Sequence, residues 1–150
     1  MNTAVWQYND GGRAAAGYKG PAGDCVTRAI SIATTLPYRD VYALINSAAK
    51  RERQPGGAGK KSSARSGVHK KTLRRVMADL GWLWVPTMHI GSGCRVHLRA
   101  DQLPSGRLVV SVSRHTVAVL DGIIHDTHDP TRDGTRCVYG YYRKNAAARD

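Results

Sequence analysis

The sequence predicts an α+β fold in which N-terminal helices pack on a C-terminal antiparallel β-sheet, within a single domain over residues 1–150. Three observations predict it. Apolar residues recur at helical spacing as far as Leu80, short β-branched and aromatic runs dominate beyond Gly81, and the length is that of one domain with no internal repeat. The elements follow in order. Residues 1–23 begin with the apolar and aromatic Val5-Trp6-Gln7-Tyr8, turn at Asn9-Asp10-Gly11-Gly12 and continue as an Ala- and Gly-rich, irregular lead-in. A first helix starts at Cys25, with Asp24 expected to cap its free amides and Val26, Ala29, Ile30 and Ala33 at i, i+3, i+4 and i+7 on one buried face. Leu36-Pro37 breaks it. Tyr38, Val41, Tyr42, Ile45, Ala48 and Ala49 then mark a second helix, which dissolves into a basic, flexible loop at about 51–66 containing Gln54-Pro55-Gly56-Gly57-Ala58-Gly59. A third helix follows Ser66, a possible cap, with Thr72, Leu73, Val76, Met77 and Leu80 inward and Gly81 as its stop. Trp82-Leu83-Trp84-Val85-Pro86 reads as a strand, and after the Gly91-Ser92-Gly93 turn Arg107-Leu108-Val109-Val110-Ser111-Val112 reads as a central one.

The best-defined pairing lies next in the chain. His115-Thr116-Val117-Ala118-Val119-Leu120 and Ile123-Ile124-His125-Asp126 flank Asp121-Gly122, the dipeptide that a two-residue hairpin turn favours. This turn sets the register. Leu120 faces Ile123, Val119 faces Ile124 and Val117 faces Asp126, so that His115, Val117, Val119, Ile124, Asp126 and His128 share one face. Asp126 is then diagonal to His115, within side-chain reach.

The chain carries a formal net charge of +12, and the excess is concentrated: Lys50 to Arg75 holds ten Lys or Arg against the single acid Glu52. Lys60, Lys61, Arg65, Lys70, Lys71, Arg74 and Arg75 are therefore candidates for binding an acidic partner or nucleic acid. A solvated loop and polar helix face account for them equally well. No run reaches the ~18–20 apolar residues of a membrane span, so no membrane contact is expected. The three cysteines, Cys25, Cys94 and Cys137, cannot all pair within one chain, and no apolar leader opens it. Cys94 and Cys137 are expected as free thiols in a reducing, cytoplasmic compartment.

Cys25 is the cysteine with chemical promise. At a helix N-terminus the aligned peptide dipoles favour a thiolate, given a second cationic or proton-accepting group nearby. A small hydrophobe at the start of a buried helix is the plain alternative. A thiol attacking an amide carbonyl needs a base that later returns a proton to the departing amine, and an orienting group for that base. His115 and Asp126 fit those two roles, and the Cys25 backbone amide fits that of an oxyanion donor.

The segments from Gly23 to Ala33 and from Gly106 to Asp129 resemble the papain-like cysteine peptidases: a cysteine opening the first long helix, a histidine heading a later strand and an acid on the next. They look similar to compact bacterial members that trim peptides for export, and the whole chain to small proteins of bacteria and their phages. The resemblance implies a papain-like fold, a protein or peptide substrate, no cofactor, and catalytic Cys25, His115 and Asp126. It also implies an oxyanion glutamine a few residues before the cysteine, where this sequence has Tyr18, Lys19, Gly20 and Pro21 instead. Gln7, Asn9 and Lys19 are the remaining candidates for that donor, and an inactive, protein-binding relative is the alternative if none serves.

Three rival readings complete the expectations. Asp129, before Pro130, competes with Asp126 for the third role, although strand parity favours Asp126. His125-Asp126-Thr127-His128-Asp129 has the composition of a metal site, but adjacent strand residues point to opposite faces, so no metal is expected. A nucleic-acid-binding module would draw on the basic stretch and on Trp82, Trp84 and Tyr38 as stacking surfaces, yet no recognised nucleic-acid-binding motif is present.

Overall fold

Alternation of side chains along the strands gives the sheet two apolar faces, and the rest of the chain divides to cover them. In the computed structural model, which describes residues 5–52 and 60–145, the chain order is β1 (Val5–Tyr8), α1 (Cys25–Thr34), α2 (Tyr38–Lys50) and α3 (Lys70–Asp79). It continues with β2 (Trp82–Pro86), β3 (Arg107–Val112), β4 (His115–Leu120), β5 (Ile123–Asp126) and β6 (Val138–Lys144). The six strands form one sheet in the order β1-β5-β4-β3-β6-β2. The architecture is α+β.

Val109, Ala118 and Tyr142 point to the helix side, where they meet Val26, Ala29, Ile30, Val41, Ile45, Val76 and Met77. α1 lies against β4 and is itself covered by α2, which explains why Thr27, Ser31 and Ile32 are buried beyond the single face that spacing predicts. Leu108, Val110, Val112, Val117, Val119 and Ile124 point the other way and are closed over by Leu98 and Leu103. Fully burying one such aliphatic side chain contributes about 1.5–3 kcal/mol, so each face contributes substantially to stability. Among the described residues no helix is long and apolar enough to cross a membrane.

The Asp121-Gly122 turn forms as expected, with φ of 48° and 83° at its two residues and Leu120 opposite Ile123, Val119 opposite Ile124. The three helices and the strands β2 to β5 fall where the sequence puts them, within a few residues.

Elsewhere the structure corrects the expectation. The sheet is not wholly antiparallel: Val5–Tyr8, expected as irregular, pairs parallel with β5 as an edge strand. β6, which spacing did not single out, inserts between β3 and β2 and aligns antiparallel with both. Its Gly140 removes a side chain where the Trp84 ring crosses, since a Cβ there would lie 2.5 Å from the indole. Asp24 occupies the N-cap position of α1 without a side-chain cap bond, because its carboxylate is engaged by Arg28 and Tyr38. His69, not Ser66, takes the N-cap position of α3.

The expected flexible loop at 51–66 falls partly on residues 53–59, outside the described residues. Its later part is a packed turn: Ser63 pairs with Gly67, Ala64 is buried, and the Ala64 carbonyl accepts from Thr27 Oγ1 at 2.7 Å. The Ala64 and Gly23 amides are satisfied by Asn46 Oδ1 at 2.9 Å and the Arg65 carbonyl at 2.7 Å, which anchors the turn beside the start of α1.

Cys94 and Cys137, expected as free thiols, form a disulfide that bridges 43 positions, leaving Cys25 as the free cysteine. An odd count forbids complete pairing but not one bridge, and the His97–Cys137 β-bridge brings the two segments together for it. The cysteine argument for a reducing compartment therefore fails. Closing a loop of this length restricts the unfolded chain, so the Cys94→Ser/Cys137→Ser variant is expected to lose about 2–4 kcal/mol in a denaturant titration. In the same titration Gly140→Ala is expected to lose about 1–3 kcal/mol from overpacking against Trp84.

Candidate active site

The chain enters α1 through Gly23, which a larger residue could not replace without moving the neighbouring turn: a Cβ there would stand 3.0 Å from the Ser66 carbonyl oxygen. Two residues on, Cys25 lines a cleft of about 620 Å³. The cleft lies where α1 begins, β3 ends and β4 starts, and Cys25, Ser111, Val112, His115, Thr116 and His128 are among its lining residues. Cys25 is half-buried.

His115 is the first residue of β4, delivered by a tight reversal in which Arg114 has φ 56°. Its Nε2 is 2.6 Å from Asp126 Oδ2. The Asp126 contact engages Nε2 and leaves Nδ1 as the remaining ring nitrogen, and Cys25 lines the same cleft as the imidazole. Asp126 ends β5 with its side chain only 2% exposed, accepts the Thr127 amide at 2.7 Å, and lies 3.2 Å from Arg28 Nη2. Arg28 also bonds Asp24, one turn earlier on the same helix, whose Oδ2 accepts from the Tyr38 hydroxyl at 2.6 Å. One guanidinium thus spans two buried carboxylates.

The electrostatics follow from these contacts. Burial alone would push the Cys25 thiol up, but the His115 hydrogen bond and charge, the Thr116 amide and Arg28 together bring it below the ordinary thiol value. Burial likewise disfavours the charged imidazole, yet Asp126 and Cys25 raise His115 from 6.5 to about 9. Asp126 is held below the usual carboxylate range against its burial, chiefly by His115. All three directions favour a thiolate and imidazolium side by side.

Cys25, His115 and Asp126 are therefore brought together. Asp129 is not: its Oδ1 accepts the Thr131 amide and hydroxyl at 2.9 and 2.7 Å, an assignment to turn geometry. The oxyanion candidates are also elsewhere, and none of Gln7, Asn9 and Lys19 lines the cleft. Gln7 pairs with His125 in the parallel β1–β5 ladder, on the alternate position to Asp126. Asn9 Nδ2 lies 3.2 Å from His125 Nδ1, while its backbone amide donates to the Asp126 carbonyl at 2.8 Å, so Asn9 supports the strand that bears the acid. Lys19 is exposed, and its carbonyl accepts from Arg65 at 3.2 Å.

His128 does what strand parity allows and composition obscured. Its ring is 5.2 Å from that of His115, and ligand atoms of His115, Asp126 and His128 lie within 4.8 Å of one another, whereas His125 turns to Asn9. The Arg28 guanidinium against Asp126 opposes a cation at that cluster. Of the basic residues, Arg65 is used internally, bonding the Lys19 and Pro21 carbonyls, and Lys60 supplies a carbonyl to His69. Lys61 and Arg75 are exposed, and Lys70, Lys71 and Arg74 line a groove beside the cleft. Sequence reasoning missed Arg28. Its one signal is a charged residue amid the apolar positions of α1, in line with Asp24 at i−4.

Compared with known families, curated proteins and solved structures, the chain has no match.

Because His115 is raised in the folded protein, its protonation stabilises the fold fully below 6.5, and this contribution is lost as pH rises through about 9. Asp126→Asn removes the charge that holds the imidazolium. In an NMR titration the His115 value is expected to fall by at least about one unit, and the pH midpoint for iodoacetamide labelling of Cys25 to rise. An unchanged His115 titration would contradict the coupling.

Proposed function

We propose that this protein is a papain-like cysteine peptidase or isopeptidase that hydrolyses a peptide or isopeptide bond through Cys25, His115 and Asp126. The observation that carries the reading is the chain of groups Cys25, His115 and Asp126: the thiol and the imidazole line one cleft, and the imidazole Nε2 lies 2.6 Å from the buried Asp126 carboxylate.

The chemistry follows from that chain. The Cys25 thiolate attacks the carbonyl carbon, and the carbonyl electron pair moves to oxygen as the tetrahedral intermediate forms. The Cys25 backbone amide, in the first turn of α1 where amides lack intrahelical partners, is suited to donate to that oxyanion. The His115 imidazolium then transfers its proton to the departing amine as the C–N bond breaks, leaving a thioester on Cys25 and a neutral imidazole. Water, deprotonated by His115, attacks the thioester; the acid product leaves and the thiolate–imidazolium pair is restored. Asp126 keeps its charge throughout, holding Nε2 and with it the ring orientation.

Activity-based labelling with a peptidyl electrophile, followed by peptide mapping, tests the proposal. Cys25 is expected to be modified near neutral pH at least about tenfold faster than a model thiol, and His115→Ala to abolish that advantage. Labelling of Cys25 at the model-thiol rate, or insensitivity to His115→Ala, would count against the enzyme.

A further inference from the structure

The thiol cleft has a cationic wall that the triad does not use. Exposed Lys70 and Arg114 line it. Lys70, Leu73 and Ser111 also line a second groove with Lys71, Arg74, Trp84, Tyr139 and Tyr142, so the depression continues from Cys25 along α3 towards β6. Among the described residues, the one carboxylate lining either part is Asp24, which is 3% exposed and already bonded to Arg28 and Tyr38. Among the described residues, the cations along the groove therefore have no free carboxylate lining it with them.

Building on the hydrolase reading, we infer that the groove selects a substrate with an acidic segment, seating carboxylate side chains of an extended peptide against Lys70 and Arg74 beside the scissile bond. The spacing is suitable. Lys70 and Arg74 stand one helical turn apart, about 6 Å, and an extended peptide repeats side chains on one face every ~6.6 Å. Carboxylates at alternate positions can meet both cations, with Arg114 a further cation lining the thiol's part of the cleft. Nucleic acid is the less suitable occupant. Lys70 Nζ lies 5.6 Å from the Tyr139 ring centre and the Arg74 guanidinium 5.5 Å from that of Trp84, so these rings carry the protein's own cations where base stacking would need bare faces.

Full-length Cys25→Ala protein separates recognition from turnover. Its affinity for a fluorescent peptide with Glu at two alternate positions is compared with that for the same peptide carrying Gln, and for a single-stranded oligonucleotide of equal charge. The Glu peptide is expected to bind at least tenfold tighter than the Gln peptide at low salt, with the advantage shrinking as salt rises. Lys70→Gln/Arg74→Gln, checked for an unchanged melting temperature, is expected to remove the discrimination. Equal binding of the two peptides, no binding of either, tighter binding of the oligonucleotide, or discrimination that survives the double substitution would overturn the inference. Iodoacetamide labelling of Cys25 in the otherwise unaltered protein reports on the triad separately. Fast labelling without acid preference removes the groove's role alone, and acid preference with slow labelling removes the hydrolase reading while leaving the groove an acidic-peptide site.

Discussion

The buried Asp126 carboxylate is the point on which the site depends. Its oxygens receive His115 from β4, Arg28 from α1 and the Thr127 amide from the following loop, so three separated stretches are tied at one group. Removing one partner of a buried ion pair costs about 3–5 kcal/mol, because the remaining charge has lost its water without compensation. The arrangement of the cleft and the stability of its floor are therefore coupled. His115 cannot turn away without leaving Asp126 Oδ2 short of its partner.

Arg28 extends the same constraint to the helix. It bridges Asp24 and Asp126, and Asp24 in turn holds the Tyr38 hydroxyl, whose ionisation is shifted upward by burial and by that carboxylate. Two buried acids near the mouth of a helix would repel a thiolate at Cys25. With a guanidinium between them and an imidazolium beside the sulfur, the local field instead favours the anionic thiol. The helix N-terminus acts in the same direction.

The two apolar layers give this polar junction its rigidity. α1 is gripped between α2 and β4, while the far face of the sheet is closed by Leu98 and Leu103 and secured by the Cys94–Cys137 bridge. His115 and Asp126 share the far face with Val117 and Ile124, yet they meet a thiol carried by a helix on the near one. They do so because His115 opens β4 and Asp126 ends β5, at the edge of the sheet that the N-terminus of α1 adjoins.

Short-range rules made much of this legible. Helical spacing located α1 to α3, and Asp121-Gly122 fixed the β4–β5 register, which by parity alone placed His115 diagonal to Asp126. Both are properties of neighbouring residues, and neighbouring residues are what sequence patterns encode. The parallel edge strand β1, the insertion of β6 between β3 and β2, the disulfide, and the displacement of Gln7, Asn9 and Lys19 from the cleft were not legible. Each depends on which distant segments become adjacent, and Val5–Tyr8 or Val138–Lys144 carries no local mark of its partner. Asp24 shows the boundary most clearly. Its position before α1 was written in the sequence, but Arg28 and Tyr38 draw its carboxylate away from the helix cap, because in the folded interior a guanidinium and a hydroxyl satisfy a buried charge better than one backbone amide does.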